Sequence, residues 1–229
     1  MDFSWISNYW PLILAGMSQT VLLLAISVVF GFILAVGLAL ALVKGPFWLK
    51  WLARTYCTCL RGTPLLIQLW LLYYGVGSLL PMIPGLRASF LWPVVREGFF
   101  FAAVSFTLNY AAYEAEVLRG ALQAVPKGEL EAGRAFGMSN WTLIRRIWLP
   151  RAIRIALPTI CGEVVLQLKA TPLAFTVTVT DLYAVAYKVR QDTLLVYEPL
   201  FVVTLFYVFL TLLITHVFKL VEGQVPVRR

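Results

Sequence analysis

At 229 residues, of which 61% are hydrophobic and only 13% charged, the chain is too apolar for a soluble domain and has the composition of a multi-span membrane protein. Its net charge of +8 follows from where Lys and Arg fall along the chain, so membrane topology accounts for it and a nucleic-acid partner is not required. Cys57, Cys59, Cys161 and the lone His216 are too few and too scattered for a metal site, so no metal is assigned and the thiols are read as reduced.

Apolar runs of about 18 or more residues can cross a hydrocarbon core roughly 30 Å thick. Five are read, at about 14–43, 64–80, 98–118, 153–172 and 199–218. The aromatic start Trp5, Tyr9, Trp10 and Pro11 places the residues before Gly16 in the interface, ahead of the first span. With Asp2, no early Lys or Arg and a long apolar run, this N-terminus lacks the pattern of a cleaved leader and is expected to stay attached. Gly31 and Ala35, with Gly37 and Ala41, set small residues four apart and let helices approach closely.

The stretch 44–61 reads as a connector. At its end, in Arg61-Gly62-Thr63-Pro64, Thr63 offers a capping hydroxyl and Pro64 the first helical position of the second span. Pro81, Pro84 and Gly85 mark the turn to the third span. There, Asn109, Tyr113 and Glu116 fall at i, i+4 and i+7 on one helical face, continued by Gly120, while Glu114 points away. A carboxylate at membrane depth costs about 2.5 kcal/mol or more unless it meets protein or water. Glu116 therefore reads either as a substrate-side carboxylate or as a helix–helix or solvated group.

The loop from 119 to 154 has its own pattern. Pro126 suits a helix start, Leu130 and Phe136 offer apolar anchors, and Gly137 suits a left-handed stop. Ser139 can cap a second short helix bearing Trp141, Ile144 and Trp148 and closed by Leu149-Pro150. Such a knob can dock on a soluble partner or lie on lipid headgroups beside Arg145 and Arg146. In the fourth span, Glu163, Gln167 and Thr171 share a face and Lys169 is embedded two residues before Thr171-Pro172. Proline lacks a donor and clashes with the Leu168 carbonyl, so a bend or break is expected there, of the kind that marks binding sites in membranes. Thr176, Thr178, Thr180 and Asp181 then lead to the outer surface. A Glu116–Lys169 bridge is the structural alternative to a pathway.

Fourteen of nineteen Lys and Arg lie in 44–61, 119–154 and the tail (Lys219, Arg228, Arg229), against Arg87, Arg96, Lys188 and Arg190 on the other side. The positive-inside rule then puts the N-terminus outside and the C-terminus in the cytoplasm.

Glu131-Ala132-Gly133, followed by Gly137 and by Ile147-Trp148-Leu149-Pro150, resembles the EAA loop of importer permeases of the ATP-binding-cassette (ABC) class, with Gly133 where the motif has Ala. Arg61-Gly62-Thr63-Pro64-Leu65, Gln68-Leu69, Asn109-Tyr110-Ala111-Ala112-Tyr113 with Glu116, Arg119-Gly120 and Val125-Pro126-Lys127-Gly128-Glu129 resemble the polar amino acid permeases. Thr171-Pro172-Leu173-Ala174-Phe175-Thr176, Thr180-Asp181-Leu182 and Tyr197-Glu198-Pro199 are most similar to the M-type subunits of histidine/lysine/arginine/ornithine and opine (octopine, nopaline) importers, although Pro172 stands where the family often has Ser or Ala.

The resemblance implies an all-α bundle of five transmembrane helices of the type I ABC importer fold, one permease domain over 1–229 with its coupling loop at about 121–152, in the bacterial inner membrane. It implies a homologous Q-type permease as partner in a heterodimer, an ATP-binding-cassette ATPase dimer and a periplasmic binding protein. Glu131, Ala132, Gly133 and Gly137 are the expected ATPase-docking residues; Asn109, Tyr113, Glu116, Gln167, Lys169 and Thr171 are the expected substrate pathway. No GxxxxGK[ST] phosphate loop is present, so the chain is not expected to be an enzyme or to bind a cofactor, and ATP and Mg belong to the partner ATPase. The competing reading is an ATP-independent secondary transporter or channel using Glu116, Glu163 and Lys169, against which the absence of an inverted repeat counts.

Overall fold

The computed structural model describes residues 3–223; Asp2, Arg228 and Arg229 lie outside the described residues. The described residues form helices and connecting turns without a strand, the architecture expected where lipid cannot satisfy backbone polar groups.

Helix α1 (Trp5–Lys44) is unbroken over 40 residues, about 60 Å at 1.5 Å per residue and twice the hydrocarbon thickness. The aromatic start therefore forms the first turns of the same helix, and part of it packs on protein. Trp5 and Ile13 are buried, and the Tyr9 hydroxyl donates to Asp192 at 2.9 Å.

The expected connector 44–61 is also a helix, α2 (Phe47–Gly62). It runs back along α1, with Ala53 and Cys57 buried and the Tyr56 hydroxyl donating to the Leu108 carbonyl at 2.8 Å. After Thr63-Pro64 the chain resumes as α3 (Leu65–Met82), with a wider π-helical turn at Leu71–Val76. The expected second span at 64–80 thus appears as α3, which is long and apolar enough to cross a membrane, with the helix α2 leading into it where a connector was expected.

Helix α4 (Gly98–Ala124) is the central element. Its Phe101, Phe106, Tyr110, Ala111, Ala115 and Leu118 are buried, and α1 and α6 pack on it most extensively. Enclosed by protein, it carries polar residues. Four other segments, α1, α3, α6 (Asn140–Val177) and α8 (Tyr197–Gly223), are the ones both long and apolar enough to cross a membrane among the described residues. At 27 residues, about 40 Å, α4 is long enough to do so as well.

Small residues set the α1–α4 contact. A Cβ on Gly31 would lie 2.7 Å from the Tyr110 ring and 3.0 Å from the Thr107 carbonyl, and Ala35 is fully buried, whereas Gly37 faces open space. Between α4 and α6, the short helix α5 (Lys127–Ala135) and Gly137 at φ 76° form a projecting knob. The predicted stop at Leu149-Pro150 does not occur, and α6 runs through it. Five residues, Ile144–Trp148, widen into a π turn in which the Leu149 amide reaches back to the Ile144 carbonyl, giving the Pro150 ring room.

Pro172 likewise produces a tightening rather than a break: the helix becomes 3-10 at Thr171–Val177. The Leu168 carbonyl that proline cannot serve is taken by the Thr171 amide and, at 2.8 Å, by the Thr171 hydroxyl. The short helix α7 (Leu182–Thr193) follows, capped by Asp181, whose side chain accepts from the Ala184 amide at 2.9 Å.

Candidate functional site

Two features stand out: the gap between α2 and α3, and the knob. At the gap the last four carbonyls of α2 have no helical partner, and three of them are met by side chains. The Thr63 hydroxyl donates back to Cys59 at 2.8 Å, so it closes α2 instead of capping α3 as expected; Pro64 itself is the residue ahead of the first turn of α3. Gln68 donates to the Leu60 carbonyl at 2.7 Å and also reaches the Thr63 hydroxyl and carbonyl. Asn109 donates to the same Leu60 carbonyl at 3.2 Å and to Gln68 at 3.1 Å, and the Tyr113 hydroxyl to the Arg61 carbonyl at 3.3 Å. Asn109 and Tyr113, expected in the pathway, are thus brought together by the break. Together with Gln68 they meet the carbonyls at the end of α2 and so help to fix the break in place.

Arg61 is the residue the sequence reading missed. Placed there at the end of a connector, it sits instead at the break, its guanidinium 5.4 Å from the centre of the Tyr113 ring and within electrostatic reach of Glu163 of α6. The available signal was the Gly-Thr-Pro following it, which marks a helix end as readily as a helix start.

The remaining expected pathway residues separate. Glu116 pairs with Arg119 at 2.7 Å, in a 230 Å³ polar cavity shared with Arg54 and Gln123, and the alternative Glu116–Lys169 bridge does not form; Lys169 is exposed. Gln167 is buried and donates to the Phe106 carbonyl at 3.0 Å. Thr171 is buried against the Tyr207 hydroxyl at 3.1 Å. Lys169 lies two residues from Gln167 on the same helix and so points the other way. Glu114 turns from the Asn109 face as expected; it is fully buried, with Tyr110 and Glu163 as its polar neighbours, and neither its oxygens nor the Tyr110 hydroxyl completes a hydrogen bond of regular geometry.

At the far end from the knob, the Tyr9 hydroxyl, with Lys188 at 3.4 Å, holds the Asp192 carboxyl below its ordinary range.

The knob is built inward from Gly133, the one buried residue of α5. An alanine Cβ here would lie 2.5 Å from the tip of Leu143 and 3.0 Å from Ile147, so glycine lets α5 lie flat on α6. Ser139 caps α6 by accepting from the Thr142 amide. Trp148 donates to the Leu122 carbonyl at 2.8 Å and takes the Lys44 ammonium over its ring at 4.5 Å, while Arg151 pairs with Glu129 at 3.3 Å. These contacts fix the knob to α1, α4 and α6 together. Outward, Glu131 and Ala132 are exposed, as are Trp141 and Phe136, the latter at 86%. Leu130 packs on the core as expected; Phe136 does not.

The described residues thus form a bundle of membrane-length helices with a helix break inside and a projecting knob, the form of a multi-span membrane protein. Residues 27–225 match the model of one family, and the chain belongs to it: the binding-protein-dependent transport system inner membrane components. It is 41% identical to the octopine transport system permease protein OccM of Rhizobium meliloti, over 95% of this chain and 87% of that one. Identity is 36% to the nopaline permease NocM of Agrobacterium fabrum (97% and 91% covered). It is 34% to the histidine/lysine/arginine/ornithine permease HisM of Escherichia coli K12 (95% and 93%). Among solved structures, a chain of an amino acid ABC transporter with histidines superposes with a TM-score of 0.82 at 28% identity, covering 98% of this chain and 99% of that one. The inward-facing MetNI methionine ABC transporter shares the fold, with a TM-score of 0.77 at 18% identity and coverage of 99% and 100%.

Proposed function

We propose that the chain is the permease subunit of an ATP-driven importer of a polar, cationic amino acid or opine across the bacterial inner membrane. The whole chain serves as one permease domain crossing five times, α2 and α3 counting as one span, with its N-terminus outside and its C-terminus in the cytoplasm. It pairs with a homologous permease and receives cargo from a periplasmic binding protein. ATP and Mg are held by a separate ATPase dimer, and its closure drives the helices between outward- and inward-facing states through the knob.

The observation that carries this reading is the knob itself: a short helix whose inner face is locked by Gly133 and whose outer face leaves Glu131, Ala132 and Phe136 bare. Relatives named as permeases of octopine and histidine/lysine/arginine/ornithine transport systems support the cargo class. The broken span offers matching chemistry, with the Arg61 guanidinium for a cargo carboxylate and Glu163 for its cationic end. Gly137, at φ 76°, serves the docking surface by shaping the turn, so a substitution there would strain the backbone as well as the interface. Phe136→Asp changes only an exposed side chain. It should leave the permease folded and membrane-inserted but abolish co-purification of the ATPase. Unchanged co-purification would overturn the docking role.

A further inference from the structure

The face of α2 that carries Arg61 carries a second cation nearer the knob. Arg54, Cys57 and Arg61 fall at i, i+3 and i+7 on one side of that helix, and seven residues set Arg54 about 10 Å from Arg61 along the axis. Helix α2 starts just after Lys44, which lies over Trp148 beside the knob, so Arg54 is the knob-side member of the pair. The polar face of α4, which packs on α2, runs the same way, from Asn109 and Tyr113 at the break to Glu116. Cys57 lies within electrostatic reach of Arg61, Glu116 and Arg119 together, so both cations belong to one polar seam.

At Arg54 the seam widens into the 230 Å³ polar cavity, walled by Leu42 of α1, Arg54 of α2 and Glu116, Arg119 and Gln123 of α4. Its charged groups are only partly spent. Arg119 gives Nε to Glu116 Oε2 at 2.7 Å and Nη1 to Gln123 at 3.1 Å, while Arg54 has no ion pair among the described residues. Two guanidiniums against one carboxylate leave a positive excess, which in a narrow cleft draws an anionic group. The volume lies below the roughly 300–1,000 Å³ of a drug-sized site, so it fits a head group and leaves the rest of a ligand outside. Because Glu116 stands in the same wall, the head group that fits carries both signs, a carboxylate for Arg54 and Arg119 and an ammonium for Glu116. A phosphate dianion would instead meet the repulsion of that carboxylate.

From this arrangement we infer that the Arg54–Glu116–Arg119 cavity is a second cargo station, on the knob side of Arg61, binding the carboxylate and ammonium shared by amino acids and opines. The station reads the head of the cargo and not its side chain, so it serves cationic and neutral amino acids alike. The inference rests on the permease reading for the identity of its ligand, and its test separates the two.

The test is protection of an introduced thiol. Gln123→Cys, in a background lacking Cys57, Cys59 and Cys161, puts a thiol in the cavity wall of the full-length permease, co-purified with its partner subunits. Its alkylation by N-ethylmaleimide is followed by mass spectrometry. Arginine should slow the reaction several-fold, whereas arginine methyl ester and inorganic phosphate should not. Adding Arg54→Gln should abolish the protection, Arg54→Lys, which keeps the charge, should retain part of it, and Glu163→Gln should leave it intact. No protection by arginine, equal protection by the ester or by phosphate, or protection undiminished by Arg54→Gln would overturn the station. Arginine uptake by the same complex in vesicles, supplied with ATP and the binding protein, separates the two ideas: uptake without protection refutes the station alone, and protection without uptake refutes the permease reading alone.

Discussion

Single residues in this protein divide by whether their polar atoms are already committed. Asn109 is committed twice, to Leu60 and to Gln68, so Asn109→Leu leaves buried acceptors short of a donor. It should cost about 1–3 kcal/mol, read as a lowered midpoint in thermal unfolding of the detergent-solubilised protein. Glu116 is paired with Arg119; Glu163 lies within electrostatic reach of Arg61 and has no ion pair among the described residues. In reconstituted vesicles, Glu163→Gln should slow uptake of a cationic amino acid more than of a neutral one, while Glu116→Gln should affect both alike. The reverse pattern would return the cargo contact to Glu116.

At the scale of elements, the protein contains two proline sites of opposite outcome. At Pro172 the preceding threonine supplies both an amide and a hydroxyl to the exposed carbonyl, and the helix continues in tighter form. At Pro64 the chain turns extended, with Thr63 at φ −118° and ψ 144°, and side chains from α3 and α4 are needed to meet the carbonyls of α2. Pro64→Ala restores a helix-forming residue at the gap and relieves the restriction on Thr63. If the break is part of the pathway, the variant should insert and bind the ATPase normally yet lose most of its uptake; normal uptake would make the break a packing feature only.

The whole molecule is a set of long helices gathered around α4, with its charges unevenly shared between the two ends. Orientation is tested by single cysteines in a background lacking Cys57, Cys59 and Cys161. A cysteine at Ser139, on the knob, should react with an impermeant thiol reagent only after the cytoplasmic side is opened, and one at Ser89 should react from outside. Reversed labelling would invert the topology.

The sequence by itself determined what depends on composition and short-range spacing. The all-α membrane class came from apolar run length, the knob from Pro126, Gly137 and Ser139, and the polar face of α4 from 3.6-residue periodicity, since each rests on neighbours within a turn or two. Only the tertiary structure decided where the charges sit in depth. Arg61 reads as a connector residue until α2 is seen lying against α1 and α4, and Glu116 reads as a buried charge until Arg119 is found beside it. The same holds for α4, whose polar residues lower its apolarity because other helices, not lipid, surround it. A helix's surroundings in the membrane are set by packing between distant segments, and a periodicity in one segment carries no record of them.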